Sequence, residues 1–154
     1  MNYTFNRRYK KELELISNNY KNIKIYEKDI IKNIDKIIEI NLLFDNYNII
    51  ILLDEDYPFY PPKKININNL DVNCYINSNI TLLLKKYFDV VCIKCESLLC
   101  ENKWNPTCKL INIVNEQIKY YNYINSIRNI LEIKKKIYIN DDILLNIFEF
   151  IKEN

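Results

Sequence analysis

The chain carries five cysteines and no histidine. Four of the thiols, Cys92, Cys95, Cys100 and Cys108, fall in one short stretch, with Cys74 upstream. A thiolate is a good nucleophile, but without an imidazole neither a Cys-His nor a Ser-His dyad can form. Covalent chemistry would therefore need a thiol activated by other means, which argues against protease mechanisms. The same four thiols admit a second reading, a closed tetrahedral zinc site with Cys92-x-x-Cys95 as one half. The spacing of Cys100 and Cys108 is irregular for that purpose, and Cys108 falls in a predicted helix. In a third reading several of them, Cys74 and Cys108 first, are small buried apolar residues.

A length of 154 residues is enough for one domain, spanning 1–154, with a single apolar core. Lys+Arg 22 against Asp+Glu 20 gives a formal charge of +2, too balanced to argue for a nucleic-acid partner. No apolar run reads as a membrane span, and the first residues do not read as a secretory leader. The expectation is a soluble protein with reduced thiols in the cytoplasm. The Asn, Ile and Lys bias suits AT-rich coding of the kind found in parasites or large DNA viruses; for a virus the compartment would be the host cytoplasm. Glycine is absent, so every left-handed backbone position must fall to Asn or Asp, which tolerate it best after glycine.

The elements that would position the thiols can be read from periodicity. Over residues 4–18, Phe5, Tyr9, Leu13 and Ile16 recur at helical spacing, with Arg7, Arg8, Lys10 and Lys11 on the other faces. Three runs rich in Ile, Leu and Tyr follow, at 23–28, 35–44 and 47–53. Asp45-Asn46 makes a tight turn between the last two, and a fourth strand is expected at 64–68. Residues 69–99 show no clear period and read as irregular. Asn105 and Pro106 then predict a helix start, with Leu110, Ile111, Val114 and Ile118 as an apolar stripe to about residue 121. Two further helices are expected at 126–136, capped by Ser126, and at 141–152, capped by Asn140. No internal repeat is evident.

Between the third and fourth strands lies Asp54-Glu-Asp-Tyr-Pro-Phe-Tyr-Pro-Pro-Lys63. Pro58, Pro61 and Pro62 lack amide protons and fix φ, so this stretch can enter neither a helix interior nor a central ladder. A rigid extended crossing is expected, clamped by Tyr57, Phe59 and Tyr60, with a cis bond before Pro61 or Pro62.

The YPFYPPK segment resembles the YPFxPPK signature of ubiquitin-conjugating enzymes. Two further segments carry the resemblance in the same order: RRYKKELELI looks like that family's basic opening helix, and WNPTCKLINIVNE looks like its WxP segment and the helix after it. The resemblance covers most of the chain. It implies an α+β fold with an N-terminal helix, a four-stranded antiparallel meander and C-terminal helices. It also implies an activity, in which a cysteine accepts ubiquitin or a ubiquitin-like protein as a thioester and passes it to a lysine. That chemistry requires no metal or organic cofactor, because the incoming acyl group is already activated. The implied partners are the modifier, its activating enzyme and a ubiquitin ligase, with no nucleic acid and no membrane.

By the same resemblance the acceptor thiol lies shortly before the tryptophan. Cys95 stands at nearly the family spacing from Trp104, and Cys92, in Val-Cys-Ile, is second. The family's His-Pro-Asn turn is missing; Tyr75-Ile-Asn-Ser-Asn79 offers Asn79 or Asn77 to brace the site or the oxyanion. In another register the segment 79–84 overlays the active-site stretch and puts Thr81 at the thiol position. The chain would then be an inactive ubiquitin-enzyme variant, or an RWD-type binding module. Arg7, Arg8 and Lys11 would dock the activating enzyme, and Phe59 and Tyr60 a ligase. Solvated and buried positions, respectively, are the plainer accounts of these two groups.

Overall fold

The computed structural model describes residues 3–32, 35–71, 78–90, 95, 97–100, 102–136 and 139–153. Helix α1 (Tyr3–Asn19) leads into strands β1 (Lys24–Lys32), β2 (Asp35–Phe44), β3 (Tyr47–Asp54), β4 (Lys64–Ile67) and β5 (Leu70–Asp71). Helices α2 (Ser78–Phe88), α3 (Leu110–Lys136) and α4 (Asp141–Glu153) follow. The strands form one antiparallel sheet in sequence order. The α+β class, the N-terminal helix and the C-terminal helices are as expected. The four-strand expectation is corrected to five: β5 pairs only Asn66 with Asp71 and Ile67 with Leu70, too short a ladder for a two-residue period to reveal.

One face of the sheet builds the core. Ile38, Ile40, Leu42 and Phe44 of β2 alternate inward, as do Ile49, Ile51 and Leu53 of β3 and Ile65 and Ile67 of β4. The register aligns Ile40 with Ile51 and Ile65, and Leu42 with Ile49 and Ile67, as continuous apolar rows across three strands. Each such side chain contributes roughly 1.5–3 kcal/mol by leaving water. Tyr9, Leu13 and Ile16 of α1 and Leu110, Ile113 and Val114 of α3 complete the same core.

Every positive-φ residue among those described is Asn or Asp: Asn22, Asp45, Asn68, Asn69 and Asp89. Asn68 (φ 50°) and Asn69 (φ 64°) together make the two-residue β4–β5 turn, where both central positions must be left-handed. Asp89 (φ 55°) ends α2, and the Val90 amide reaches back to the Leu84 carbonyl (3.3 Å).

Three helix expectations are corrected. Helix α2 occupies part of the stretch read as irregular. Its buried positions, Ile80, Leu84, Tyr87 and Phe88, are helically spaced, but the adjacent Leu82, 66% exposed, and Leu83 hide the period. Helix α3 begins at Leu110 rather than Pro106, because Asn105 caps a separate turn: its Oδ1 accepts from the Thr107 amide (2.9 Å) and its carbonyl from Cys108 (2.8 Å). The break expected before Ser126 does not occur. Gln117, Tyr120, Tyr123, Ile124, Ile127 and Ile130 carry a buried stripe straight through it, with no Gly or Pro to interrupt. Ile118 is only partly buried, and Ile113 takes its expected place in the stripe. Asn140 caps α4 as expected, accepting from the Ile143 amide (2.8 Å). No helix among the described residues is long and apolar enough to cross a membrane.

Candidate functional site

The proline segment is closed at its base by Asp54, the last residue of β3. Its carboxylate accepts from the Asp56 amide (3.2 Å) and pairs with Lys63 Nζ (2.8 Å), while the Lys63 amide donates to the Leu52 carbonyl (2.9 Å). The crossing expected to be rigid and extended is a coil at first. The Tyr57 amide bonds to the Asp54 carbonyl (3.2 Å), and the Phe59 and Tyr60 amides to that of Asp56 (2.8 and 3.1 Å). The prolines stay out of helix and ladder, as their chemistry requires. The cis bond is Tyr57–Pro58, not the bond before Pro61 or Pro62. Phe59 and Tyr60 stand out into solvent, 68% and 59% exposed.

Trp104 meets this segment across a long sequence separation. Its indole Nε1 donates to the Pro58 carbonyl (2.9 Å), and its ring lies 6.2 Å, centroid to centroid, from that of Tyr57. The Tyr57 ring is buried, and among the described residues its hydroxyl makes no hydrogen bond of good geometry, with the Arg8 guanidinium nearby. Burial, and then the nearby Glu12 carboxylate, hold its pKa well above the usual phenol value. A groove of about 240 Å³ runs beside the segment, lined among others by Tyr60, Pro61, Pro62, Asp71 and Leu99.

Leu99 belongs to a turn carried by α3. Ser97 is fully buried, and the Leu98 amide donates to both oxygens of Glu116 (3.0 Å each). Further turns run from Ser97 to Cys100 (3.0 Å) and from Cys100 to Lys103 (2.8 Å), ending at Trp104. Cys95, two residues before Ser97, is exposed and helical. The expected site residues are thus brought together in part: Cys95 and Trp104 bracket a turn whose Leu99 lines the groove beside Tyr60 and the prolines. Thr81 lies on α2, which packs against α3 and α4, and is not among the residues lining that groove. Cys92, Asn77 and Cys74 lie outside the described residues, as does the side chain of Asn79, whose backbone is in α2.

Cys100 and Cys108 are half-buried. Burial, then the Glu116 and Glu12 carboxylates, push the Cys108 thiol above its ordinary pKa, so it stays protonated and a poor nucleophile. Among the described residues no three His, Cys, Asp or Glu side chains gather at metal-binding spacing; Cys92, one of the four thiols of the zinc reading, lies outside them.

The basic face of α1 divides. Arg7 and Lys11 are exposed. Lys10 pairs with Glu27 of β1 (2.7 Å), a hydrogen bond that raises the pKa of its ammonium. Arg8 is drawn inward: its Nη2 pairs with Glu12 (2.7 Å) and donates to the carbonyls of Pro106 (3.3 Å) and Cys108 (3.4 Å). Glu12, 2% exposed, in turn accepts from the Leu110 amide (2.9 Å) and so caps α3 from another helix. Sequence reasoning passed over Glu12, although an acid on the apolar face of an amphipathic helix, four residues after Arg8, is the signal for a buried pair.

A larger groove, about 900 Å³, lies between α2 and α3, with Ile80, Arg128, Glu132 and Lys135 among its walls. It holds none of the candidate residues, and Lys135 is already paired there with Glu132 (2.7 Å). No family model, no curated protein and no solved structure matches the chain.

Proposed function

We propose that this chain is a thioester carrier of the ubiquitin-conjugating type, with Cys95 as the acceptor. The Cys95 thiolate attacks the thioester that joins ubiquitin, or a ubiquitin-like protein, to the activating enzyme, and that enzyme's thiol leaves. A lysine amine then attacks the new thioester, forming an isopeptide bond and releasing Cys95. Arg7 and Lys11 are the exposed cations on which an activating enzyme would dock, and Phe59 and Tyr60 the exposed aromatics for a ligase. The observation that carries the reading is the bond from Trp104 to the Pro58 carbonyl. It joins the WNP and YPFYPP segments, on which the resemblance rests, directly beside the turn that follows an exposed thiol.

A second reading, an inactive variant or RWD-type binding module, is favoured by one observation. The stretch where the resemblance implies a His-Pro-Asn turn offers neither His nor Pro and leads into α2 at Ser78. The two readings part in one experiment, in which the purified protein is incubated with activating enzyme, ATP and ubiquitin and separated without reductant. The carrier reading expects an adduct that thiols remove, that Cys95→Ser converts to a thiol-resistant ester or abolishes, and that Cys92→Ser leaves intact. An unmodified wild type across ubiquitin and ubiquitin-like donors gives the case to the binding module.

A further inference from the structure

Immediately after Cys95 the chain passes into a polar node that simple packing would not require. The Ser97 hydroxyl donates to Glu116 Oε2 (2.8 Å), and its oxygen accepts from the Leu99 amide (3.0 Å) and from Gln117 Nε2 (3.1 Å). The Glu116 carboxylate also takes the Leu98 amide and Gln117 Nε2 (3.2 Å). Ser97 and Gln117 are both fully buried. A carboxylate is costly to take out of water unless donors surround it, and here three do. What they fix is backbone: one carboxylate on a rigid helix holds the start of the turn, and the Trp104–Pro58 bond holds its end. Two residues of chain span at most about 7 Å, so Cys95 lies within that reach of the fixed start of this turn.

We propose that Glu116 is the positioning residue for the Cys95 thiol, acting through Ser97 and the Leu98 amide. This rests on Cys95 being the acceptor. A nucleophile displaced by even about 1 Å from its line of attack can lose about two orders of magnitude in rate, so a carboxylate that never touches the modifier still sets the transfer rate. Ser97, Leu98, Glu116 and Gln117 act as one unit, and their effects should not add.

The test is single-turnover transfer of ubiquitin from the activating enzyme to the protein, at a temperature where each variant is fully folded by circular dichroism. Glu116→Gln and Ser97→Ala should each slow transfer at saturating donor by about tenfold or more while leaving the half-saturating donor concentration unchanged. The double variant should be no slower than the worse single one, and Glu116→Asp should recover part of the rate. Transfer within about twofold of wild type in both single variants, with a lowered melting temperature, would make the node a purely structural tie. If the wild type accepts no modifier, the carrier reading fails by itself and positioning is judged by iodoacetamide. Peptide mapping over the tryptic fragment 95–103 follows Cys95, with fragment ions separating it from Cys100. A Cys95 alkylation rate in Glu116→Gln more than about twofold from wild type upholds positioning, and a smaller change overturns it.

Discussion

Helix α3 is tied to the rest of the molecule on two sides, and the ties differ in kind. Toward the turn end of the sheet they are neutral: Tyr20 donates to Asn115 and Asn122 Nδ2 to the Tyr47 hydroxyl (2.9 Å), both exposed, and Asn68 Nδ2 to the Tyr121 hydroxyl (2.9 Å), part-buried. Toward the thiol-bearing side they are carboxylates that hold backbone: Glu12 on the Leu110 amide, Glu116 on the Leu98 amide, with Arg8 bracing Glu12. Water can replace a neutral surface tie at little loss. Glu12, buried, has no such substitute once its partner is removed, and half-buried Glu116 has only a partial one. The turn end therefore tolerates change, while the thiol side is held in one arrangement.

The largest effect expected tests the core that both sides share. Val114→Asp, at a fully buried position, should cost more than about 4 kcal/mol, read by urea denaturation. A near-wild-type midpoint would mean that α3 does not face the core. Glu12→Ala removes the cap of α3 and leaves Arg8 and the Leu110 amide without it, at about 3 kcal/mol after allowing for the partial exposure of Arg8. Trp104→Phe gives up the bond to Pro58 and some packing, about 1–2 kcal/mol. Tyr57→Phe sharpens the comparison by pH. Burial raises the phenol's pKa above its unfolded value near 10, so the neutral phenol's contribution is present below that value and lost as pH rises through the folded one. The variant should lie within about 1 kcal/mol of wild type at pH 7, since the hydroxyl makes no hydrogen bond of good geometry among the described residues, and lose less stability above pH 10. Tyr47→Phe, on the neutral side, should cost about 0.5 kcal/mol. Should it cost more than Glu12→Ala, the contrast between the two sides is reversed.

What could be read beforehand follows how local each signal is. The alternation of Ile38, Ile40 and Leu42 is written within one strand, and the Asn140 cap within one turn, so both were legible. The absence of glycine assigned the left-handed positions to Asn and Asp as a class, though not to particular residues. Helix α2 was hidden because exposed Leu82 lies beside buried Leu84, and hydrophobicity alone cannot say which of two leucines faces water. The Arg8–Glu12 pair had a local signal in its spacing, but the docking of Arg8 on two carbonyls had none. Those carbonyls, of Pro106 and Cys108, lie about a hundred positions away, and only tertiary packing brings them near. Cys95 could be singled out by its distance from Trp104, but nothing in the order of residues joins Glu116 to Leu98.

The indole of Trp104 has a practical consequence. It is the chain's single tryptophan, so the protein's red-edge fluorescence comes from one ring, held between the Pro58 carbonyl and the Tyr57 ring. Emission excited at the far edge of tyrosine absorption thus watches a single joint, the place where the proline coil meets the turn that follows Cys95. Loosening of that joint would shift the spectrum while the helical dichroism stays level, and global unfolding would move both together. The molecule carries its own optical gauge of whether the thiol side is closed.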